Sequence, residues 1–500
     1  MFGALIRLNP ALSASFPLND GGLFYVMAQE LQDSHLRLPY YVSYNGGQIP
    51  FIYPPLGHFL LVIFAEVTHT PLITMMRLLP PFISILTIPA FYFLARSLLN
   101  EKGTAFISVC VFAVLPPAFD WLIMGGSITR TPGFLFALLT LNQAILLYRY
   151  CRKVNLILTV VFSSLTVFSH PAMAWFVLYS SILFFLYFLP NLKKLGLSLV
   201  VAVSVILLTT PWWFTLVARF GFQPLLNALK VGTGSISGWT FFLPFLFLFT
   251  NEPLLDLQAV LGLLGVMVAV RERKFMLVAW FLLIFVVQTR ESAIVASIPF
   301  AMLVGLGIGH LVLPGLGRSG IDEIYKIHWR PTLSQVLFLV YVIVVGLFSA
   351  YSVVGSMKAI SQGDIEAMTW IKTNTPLSSR FLVILGEGSV DVNVSEWFPA
   401  LTQRVSVNTR EGMEWSAIEI GKTDPATFAR LQSCALQTVS CIEEWSRQSE
   451  NYWDYLYLPV KAATMADGST SKLFKSLQSS PSYELIFQSE SVYMFHRLFP

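Results

Sequence analysis

Between about residue 51 and residue 355 the chain is a succession of apolar runs separated by short polar connections, and that repetition restricts it to one solvent. Many of the runs approach the roughly 20 residues a helix needs to cross a hydrocarbon core. They are 51–68, 72–96, 104–119, 131–148, 154–169, 171–189, 196–217, 255–270, 275–288, 293–313 and 333–355, with a twelfth, 239–250, too short to be a span. Because backbone in lipid must satisfy its own hydrogen bonds, they predict an all-α polytopic membrane bundle of about 11–12 apolar segments. The shorter runs are expected where helices break or tilt along a cavity. With 55% hydrophobic and only 12% charged residues, the chain is also too apolar for a soluble surface.

The net charge of +4 does not point to nucleic acid, because Lys and Arg sit in short loops and not on one basic face. Their use is topological. Arg96 with Lys102, Arg149 with Arg152 and Lys153, Lys193 with Lys194, Arg271 with Arg273 and Lys274, and Lys326 with Arg330 read as cytoplasmic. The connections Asp120–Arg130, His170–Pro171, Arg219–Trp239 and Thr289–Ser292 then face outward, with 239–250 re-entrant or interfacial. One count fails: an outward Asp20 and an inward Arg96 need an odd number of crossings between them, yet two apolar runs lie there. Met1–Ser15 is too short, and too polar at Arg7, Asn9 and Pro10, to read as a span or a signal peptide. It reads as a truncated or frayed first helix.

Asp20 stands in the loop 17–50 ahead of this bundle, within Asn19-Asp20-Gly21-Gly22. A carboxylate at the mouth of an apolar bundle is costly unless it faces a water-filled path, which makes it a functional candidate. Gly22–Leu36 reads as an amphipathic helix lying at the membrane interface. In Ile49–His58 two prolines stiffen the approach to the next run, and Tyr53 and His58 are expected to point polar tips to headgroup depth. An aromatic belt and a proline-started helix account for that segment equally well.

Beyond residue 357 the composition turns to Ser, Glu, Asn and Gln, so residues 1–356 form a transmembrane domain and 357–500 a soluble α/β domain. Asp364–Lys372 is expected to be helical, and Arg380–Leu385, Trp453–Val460 and Ser491–His496 to be strands. The acid-aromatic clusters Glu396–Pro399 and Glu411–Trp415 suit either sugar stacking or docking onto the bundle. Cys434 and Cys441 can bridge in an oxidising compartment, though not from one continuous helix, while Cys110 and Cys151 read as free thiols. No zinc spacing, Walker loop, dinucleotide fingerprint or Ser-His-Asp order stands in a suitable context.

Asn19-Asp20-Gly21-Gly22, Tyr53-Pro54-Pro55-Leu56-Gly57 and Gly125-Gly126-Ser127-Ile128-Thr129-Arg130, on a bundle with a C-terminal outer domain, resemble the GT-C-fold membrane glycosyltransferases. That superfamily includes protein mannosyltransferases and aminoarabinose transferases. The resemblance implies sugar transfer from a polyprenyl-phosphate donor to a glycan, lipid or protein hydroxyl at the outer face of a bacterial plasma (inner) membrane, in building the cell envelope. Several relatives carry an acidic pair where this chain has Asp20 alone. No residue set is therefore assigned to a metal, and a divalent cation stays an open cofactor.

Such chemistry needs a base for the acceptor proton and fixed donors for the departing phosphate. Asp20 is the candidate catalytic base. Arg130 is the candidate phosphate contact, and Asp120 either binds sugar hydroxyls, orients Arg130 through a charge-assisted hydrogen bond, or merely pairs with it. His170 either donates to phosphate and carries protons near neutral pH, or caps a helical hairpin. Arg290 either grips lipid phosphate or pairs with its neighbour Glu291. Tyr53 and His58 complete the candidate substrate-binding set. Gly232–Gly238 could close over a lipid but fits no nucleotide fingerprint. Two other classes share these features: a transporter or flippase of lipid-linked saccharide, and a non-catalytic carbohydrate-binding membrane protein. No internal repeat of the kind common in transporters is present.

Overall fold

The computed structural model describes residues 1–223, 226, 257–288, 290–315, 332–386, 392–409, 411–412, 425–465 and 467–498. The 239–250 run, Gly232–Gly238, Thr289, Lys326, Arg330 and Met413–Trp415 lie outside them. Two helices precede the first long span, α1 Phe2–Ser13 and α2 Gly22–Asp33, followed by the hairpin β1 Tyr41–Tyr44 and β2 Gly47–Pro50. The apolar runs become α3 Leu56–Thr68, α4 Leu72–Leu99, α5 Lys102–Val114, α6 Arg130–Tyr150, α7 Lys153–Ser169 and α8 Pro171–Tyr187. They continue as α9 Leu192–Phe220, α10 Leu257–Arg271, α11 Phe275–Val287, α12 Ser292–Gly307 and α13 Leu333–Ser356. These apolar helices make the chain an integral membrane protein.

α12 is the central pillar: nearly all its residues are buried, and it packs against α5, α10 and α11. The crossing with α10 is so close that a Cβ on Gly265 would lie 1.8 Å from the Leu303 carbonyl oxygen. Small residues at such crossings let backbones approach where no hydrophobic effect drives helices together. α9 lies at the periphery, with a row of exposed Leu, Val and Ile side chains where lipid would stand.

Contacts at the helix ends resolve the crossing count. Gly57 at the start of α3 packs on Ile128, and Met76 at the start of α4 packs on Gly21, so both ends of α3 lie at the Asp20 end of the bundle. Only α4 then crosses before Arg96. At the opposite end Arg149 donates to Asn100, and Lys274 and His310 meet Glu101 and Glu272.

The polar first segment is the expected helix, continuous from Phe2 to Ser13. Its Arg7 is fully buried and donates to the Ser84 carbonyl at 2.7 Å, Thr87 Oγ1 at 2.8 Å and the Phe112 carbonyl at 3.1 Å, with the rings of Phe112 and Phe119 about it. A charge whose two terminal nitrogens bond α4 and α5 ties α1 into the bundle, which polarity counted along the chain does not reveal. Arg7→Ala is expected to cost on the order of 3 kcal/mol, since hydrogen bonds to a charged group are lost and their acceptors stay buried. Thermal unfolding in detergent would measure it; an unchanged midpoint would make Arg7 dispensable.

The helix read as interfacial is also placed differently. α2 has Leu23, Met27, Ala28 and Leu31 fully buried, because it is held between α3 and helix α15 of the C-terminal region. An amphipathic face can be covered by protein as well as by lipid.

After α13 come α14 Gln362–Asn374, β3 Arg380–Val383, α15 Val392–Thr402, β4 Val405–Ser406, α16 Pro425–Ser433, α17 Val439–Ser449, β5 Tyr455–Pro459, α18 Lys472–Ser479, β6 Tyr483–Gln488 and β7 Val492–Arg497. The five strands form a mixed sheet in the order β4-β3-β5-β7-β6, parallel at β4-β3-β5 and antiparallel beyond. Cys434 and Cys441 are bridged with their Cα atoms 5.6 Å apart. The chain breaks between a 3₁₀ turn at Cys434–Leu436 and α17, so the condition that forbids a bridge on one helix does not apply. Alkylation without reductant should label two thiols, Cys110 and Cys151, and all four cysteines after reduction. Four labelled without reductant would mean the bridge does not form.

Candidate functional site

The Asp20 loop is built by backbone pairing with the Gly125-Gly126 turn: Gly125 N donates to the Leu18 carbonyl at 2.8 Å and Gly126 N to the Asp20 carbonyl at 2.9 Å. Only glycine permits this approach. A Cβ on Gly126 would lie 2.8 Å from Asp20 Cγ and 2.9 Å from each carboxylate oxygen. Gly21, at φ 139°, reverses the chain into α2.

The C-terminal region clamps the same loop from the other side. Asn19 N donates to the Lys358 carbonyl at 2.8 Å, Lys358 N to Asn19 Oδ1 at 2.9 Å, and Trp397 Nε1 to the Asn19 carbonyl at 2.9 Å. Gly21 N donates to Glu396 Oε1 at 3.0 Å, and Tyr44 Oη to the Glu396 carbonyl at 2.7 Å. Glu396-Trp397 therefore docks the C-terminal region onto the bundle, and its buried indole is not free to stack on a sugar. Trp397→Ala should cost about 3–5 kcal/mol through the cavity it leaves. Chemical denaturation would show it; a loss within error would mean the docking contributes little.

Arg130, the first residue of α6, stands at the centre of the site. Its Nε donates to Glu291 Oε1 at 3.2 Å, its Nη1 reaches Ser127 Oγ at 3.3 Å and the Trp121 carbonyl at 3.4 Å, and its guanidinium lies 5.4 Å from the Trp121 ring centre. Asp20 and Tyr53 lie within its electrostatic range. Neither pairing expected for it or for Glu291 forms. Asp120 does not bond Arg130; its Oδ1 accepts from the Trp121 amide at 2.6 Å. Glu291 turns away from Arg290 because its left-handed backbone, φ 62°, aims the side chain into the bundle end and leaves Arg290 exposed.

Glu291 is the site residue that sequence reasoning missed as an independent partner. Burial opposes its ionisation, but Arg130, His170 and Arg290 together hold its carboxyl below the usual range. Enclosure raises the Asp20 carboxyl, against the opposing pull of Arg130 and the Gly126 amide. Asp120 is pushed up to about 7, chiefly by enclosure.

His170 joins α7 to α8 with its Nε2 3.9 Å from Glu291 Oε1. Burial lowers its ring to about 4; Glu291 opposes this, while Arg130 and Arg290 add to it. The ring is neutral near pH 7, so it can donate one N–H but does not carry protons by titrating there. His58 is not at headgroup depth: it is fully buried, with ring centres of Phe24 and Phe51 at 5.7 and 5.3 Å. Tyr53 packs edge-on against Phe24 at 4.8 Å, between that core and Arg130.

The structure thus brings Asp20, Arg130, His170 and Glu291 together, sets Asp120, Tyr53 and Arg290 around them, and places His58 in the supporting core. Asp20 Oδ1, Glu291 Oε2 and His170 Nδ1 are enclosed without a hydrogen-bond partner among the described residues. Buried polar atoms left open in one place are costly and suit a ligand bearing hydroxyl groups. Among the described residues no three His, Cys, Asp or Glu side chains are arranged to share a metal ion. No step is assigned to a divalent cation.

No protein-family profile matches the chain, and no curated protein sequence does. Solved structures do resemble it. The archaeal oligosaccharyltransferase AglB from Archaeoglobus fulgidus, in complex with an inhibitory peptide and a dolichol-phosphate, superposes with a TM-score of 0.59 at 13% identity, over 98% of this chain and 73% of that one. ArnT from Cupriavidus metallidurans bound to undecaprenyl phosphate gives 0.56 at 13% identity, over 99% and 97%. The arabinofuranosyltransferase AftD from Mycobacteria gives 0.59 at 14% identity, over 99% of this chain but 39% of its own length. The chain has the GT-C fold of these membrane proteins.

Proposed function

We propose that this protein is a membrane glycosyltransferase that moves a sugar from a polyprenyl-phosphate donor to an acceptor hydroxyl. The observation that carries the reading is that Asp20 and Arg130 flank one turn, Asp20 against Gly126 and Arg130 on Ser127, with open polar atoms beside them, at one end of an apolar bundle. The acceptor O–H attacks the anomeric carbon as the carbon–oxygen bond to phosphate breaks. Its proton passes to the Asp20 carboxylate, the bonding pair leaves on the polyprenyl phosphate, and the anomeric centre inverts. Arg130 and the exposed Arg290 hold the departing phosphate by charge, and neutral His170 donates one hydrogen bond. The fixed positive groups act most strongly when phosphate charge develops, which lowers the barrier more than it tightens the ground state.

The membrane side follows from two features. Lys and Arg crowd the loops at the opposite end, and the Cys434–Cys441 bridge suits an oxidising compartment. Both support our placing the site and the C-terminal domain on the outer face of a membrane, read here as a bacterial plasma membrane, where a glycan, lipid or protein acceptor is met. The test is release of undecaprenyl phosphate from undecaprenyl-phosphate sugars by the purified protein. Movement of intact donor between leaflets without release would instead make it a flippase.

Gly126→Ala should lower kcat about 100-fold, since a displacement near 1 Å at a reacting group costs that much. Its elution volume should stay that of the wild type. Full turnover in this variant would mean Asp20 need not stand where it does.

A further inference from the structure

Trp121 is the exposed member of a buried turn. Phe119, Leu122, Ile123 and Met124 around it are almost fully buried, whereas Trp121 retains 46% exposure. Its placement is fixed through the site: its carbonyl accepts from Ser127 Oγ and Arg130 Nη1, its amide donates to Asp120 Oδ1, and its ring lies against the Arg130 guanidinium. An indole serving only to anchor the chain at a membrane surface needs no contact with Arg130. Asp120, beside it, accepts from that amide on Oδ1, which leaves its carboxylate at the edge of the Trp121 ring.

We propose that Trp121 and Asp120 form the subsite for the transferred sugar, the indole stacking on ring C–H groups and Asp120 Oδ2 accepting a hydroxyl. The inference rests on the reading of Arg130 as the phosphate contact. A glycosyl group is one bridging oxygen away from its phosphate, so a phosphate on Arg130 places the sugar within a few ångströms of the groups that flank the guanidinium. Trp121 and Asp120 are those groups, and an aromatic face beside a carboxylate offers both halves of what a pyranose or furanose presents. Arg130 against one side of the indole also limits its rotation, so little freedom is lost when a sugar stacks.

The test compares two probes, undecaprenyl phosphate and a panel of undecaprenyl-phosphate hexoses and pentoses, binding to the full chain in nanodiscs. Measurements use the Asp20→Asn background so that no donor is consumed. The best sugar-bearing probe should bind more tightly than undecaprenyl phosphate. Trp121→Ala and Asp120→Asn should each weaken it about tenfold. Binding of undecaprenyl phosphate itself should stay within about twofold, and Trp121→Phe should restore most of the loss. Equal weakening of both probes, or of neither, would overturn the subsite. If the probe with the sugar shows this selective loss while the wild type never releases undecaprenyl phosphate, the transferase reading fails and the subsite stands. Turnover without the selective loss rejects the subsite alone, and a wild type that binds neither probe rejects both.

Discussion

Asp20→Asn is expected to reduce sugar transfer by about 10²–10⁴-fold, the range general-base catalysis supplies, while the protein stays folded. Asn keeps the size of the side chain above Gly126, where there is no room for anything larger, but cannot take a proton. Enclosure raises the Asp20 carboxyl above the ordinary carboxylate range, with Arg130 and the Gly126 amide acting against it. The base form is populated only above that raised value, so the rate should climb with pH across it, on an acid limb lying higher than a solvent-exposed aspartate would give. The stability sign runs the other way. A raised folded-state pKa contributes stability that is complete below the unfolded value and is lost as pH rises through the folded one. The always-neutral Asn should therefore unfold at a temperature equal to or above that of the wild type at neutral pH. Turnover and thermal unfolding of the same preparations decide the matter: undiminished transfer would remove Asp20 as the base, and a collapsed variant would make its role structural.

Arg130→Ala should have a double effect, abolishing transfer and lowering stability by about 3–5 kcal/mol, because it leaves a buried partner charge behind. Glu291 is that partner, with Asp20 also in range; the ion pair is nine-tenths covered on the Glu291 side. Removing both members of the pair separates the two effects. Arg130→Met combined with Glu291→Met should recover most of the lost stability, since replacing a buried pair with apolar groups is often neutral or favourable. Transfer should remain absent, because the phosphate still has no Arg130. Arg130→Lys should fold and retain only a fraction of the turnover: an ammonium lacks the fork that reaches Glu291, Ser127 and the Trp121 carbonyl together. Denaturation midpoints and kcat/KM would be measured for all three. A double variant that regains activity would show that Arg130 serves the fold and not the reaction.

The apolar runs foretell the helices closely because a membrane span is decided locally: each must carry its own hydrogen bonds and its own apolar surface. The fully buried Arg7 escapes that logic, since its donors are met by Ser84, Thr87 and Phe112 from helices far along the chain. The candidate site divides the same way. Asp20, Arg130 and His170 stand out because each is a polar group in a short connection between apolar runs. Glu291 is visible only as a neighbour of Arg290, and a sequence offers no means of seeing that a left-handed residue turns it toward Arg130, 161 positions away. The disulfide depended on a helix break, and Glu396-Trp397 on the direction its helix faces.

By itself the sequence determined that this chain is a helical membrane protein with a polar C-terminal region, and that its ionisable residues gather in the connections. Those are consequences of hydration and of backbone hydrogen bonding, which act over a few residues at a time. Only the tertiary structure decided which charges meet: Arg130 with Glu291 instead of Asp120, His58 within an aromatic core, α2 between α3 and α15, and Asp20 held between Gly126 and Glu396-Trp397. Partner choice among buried groups depends on distances across the bundle, and those are set by how the helices pack.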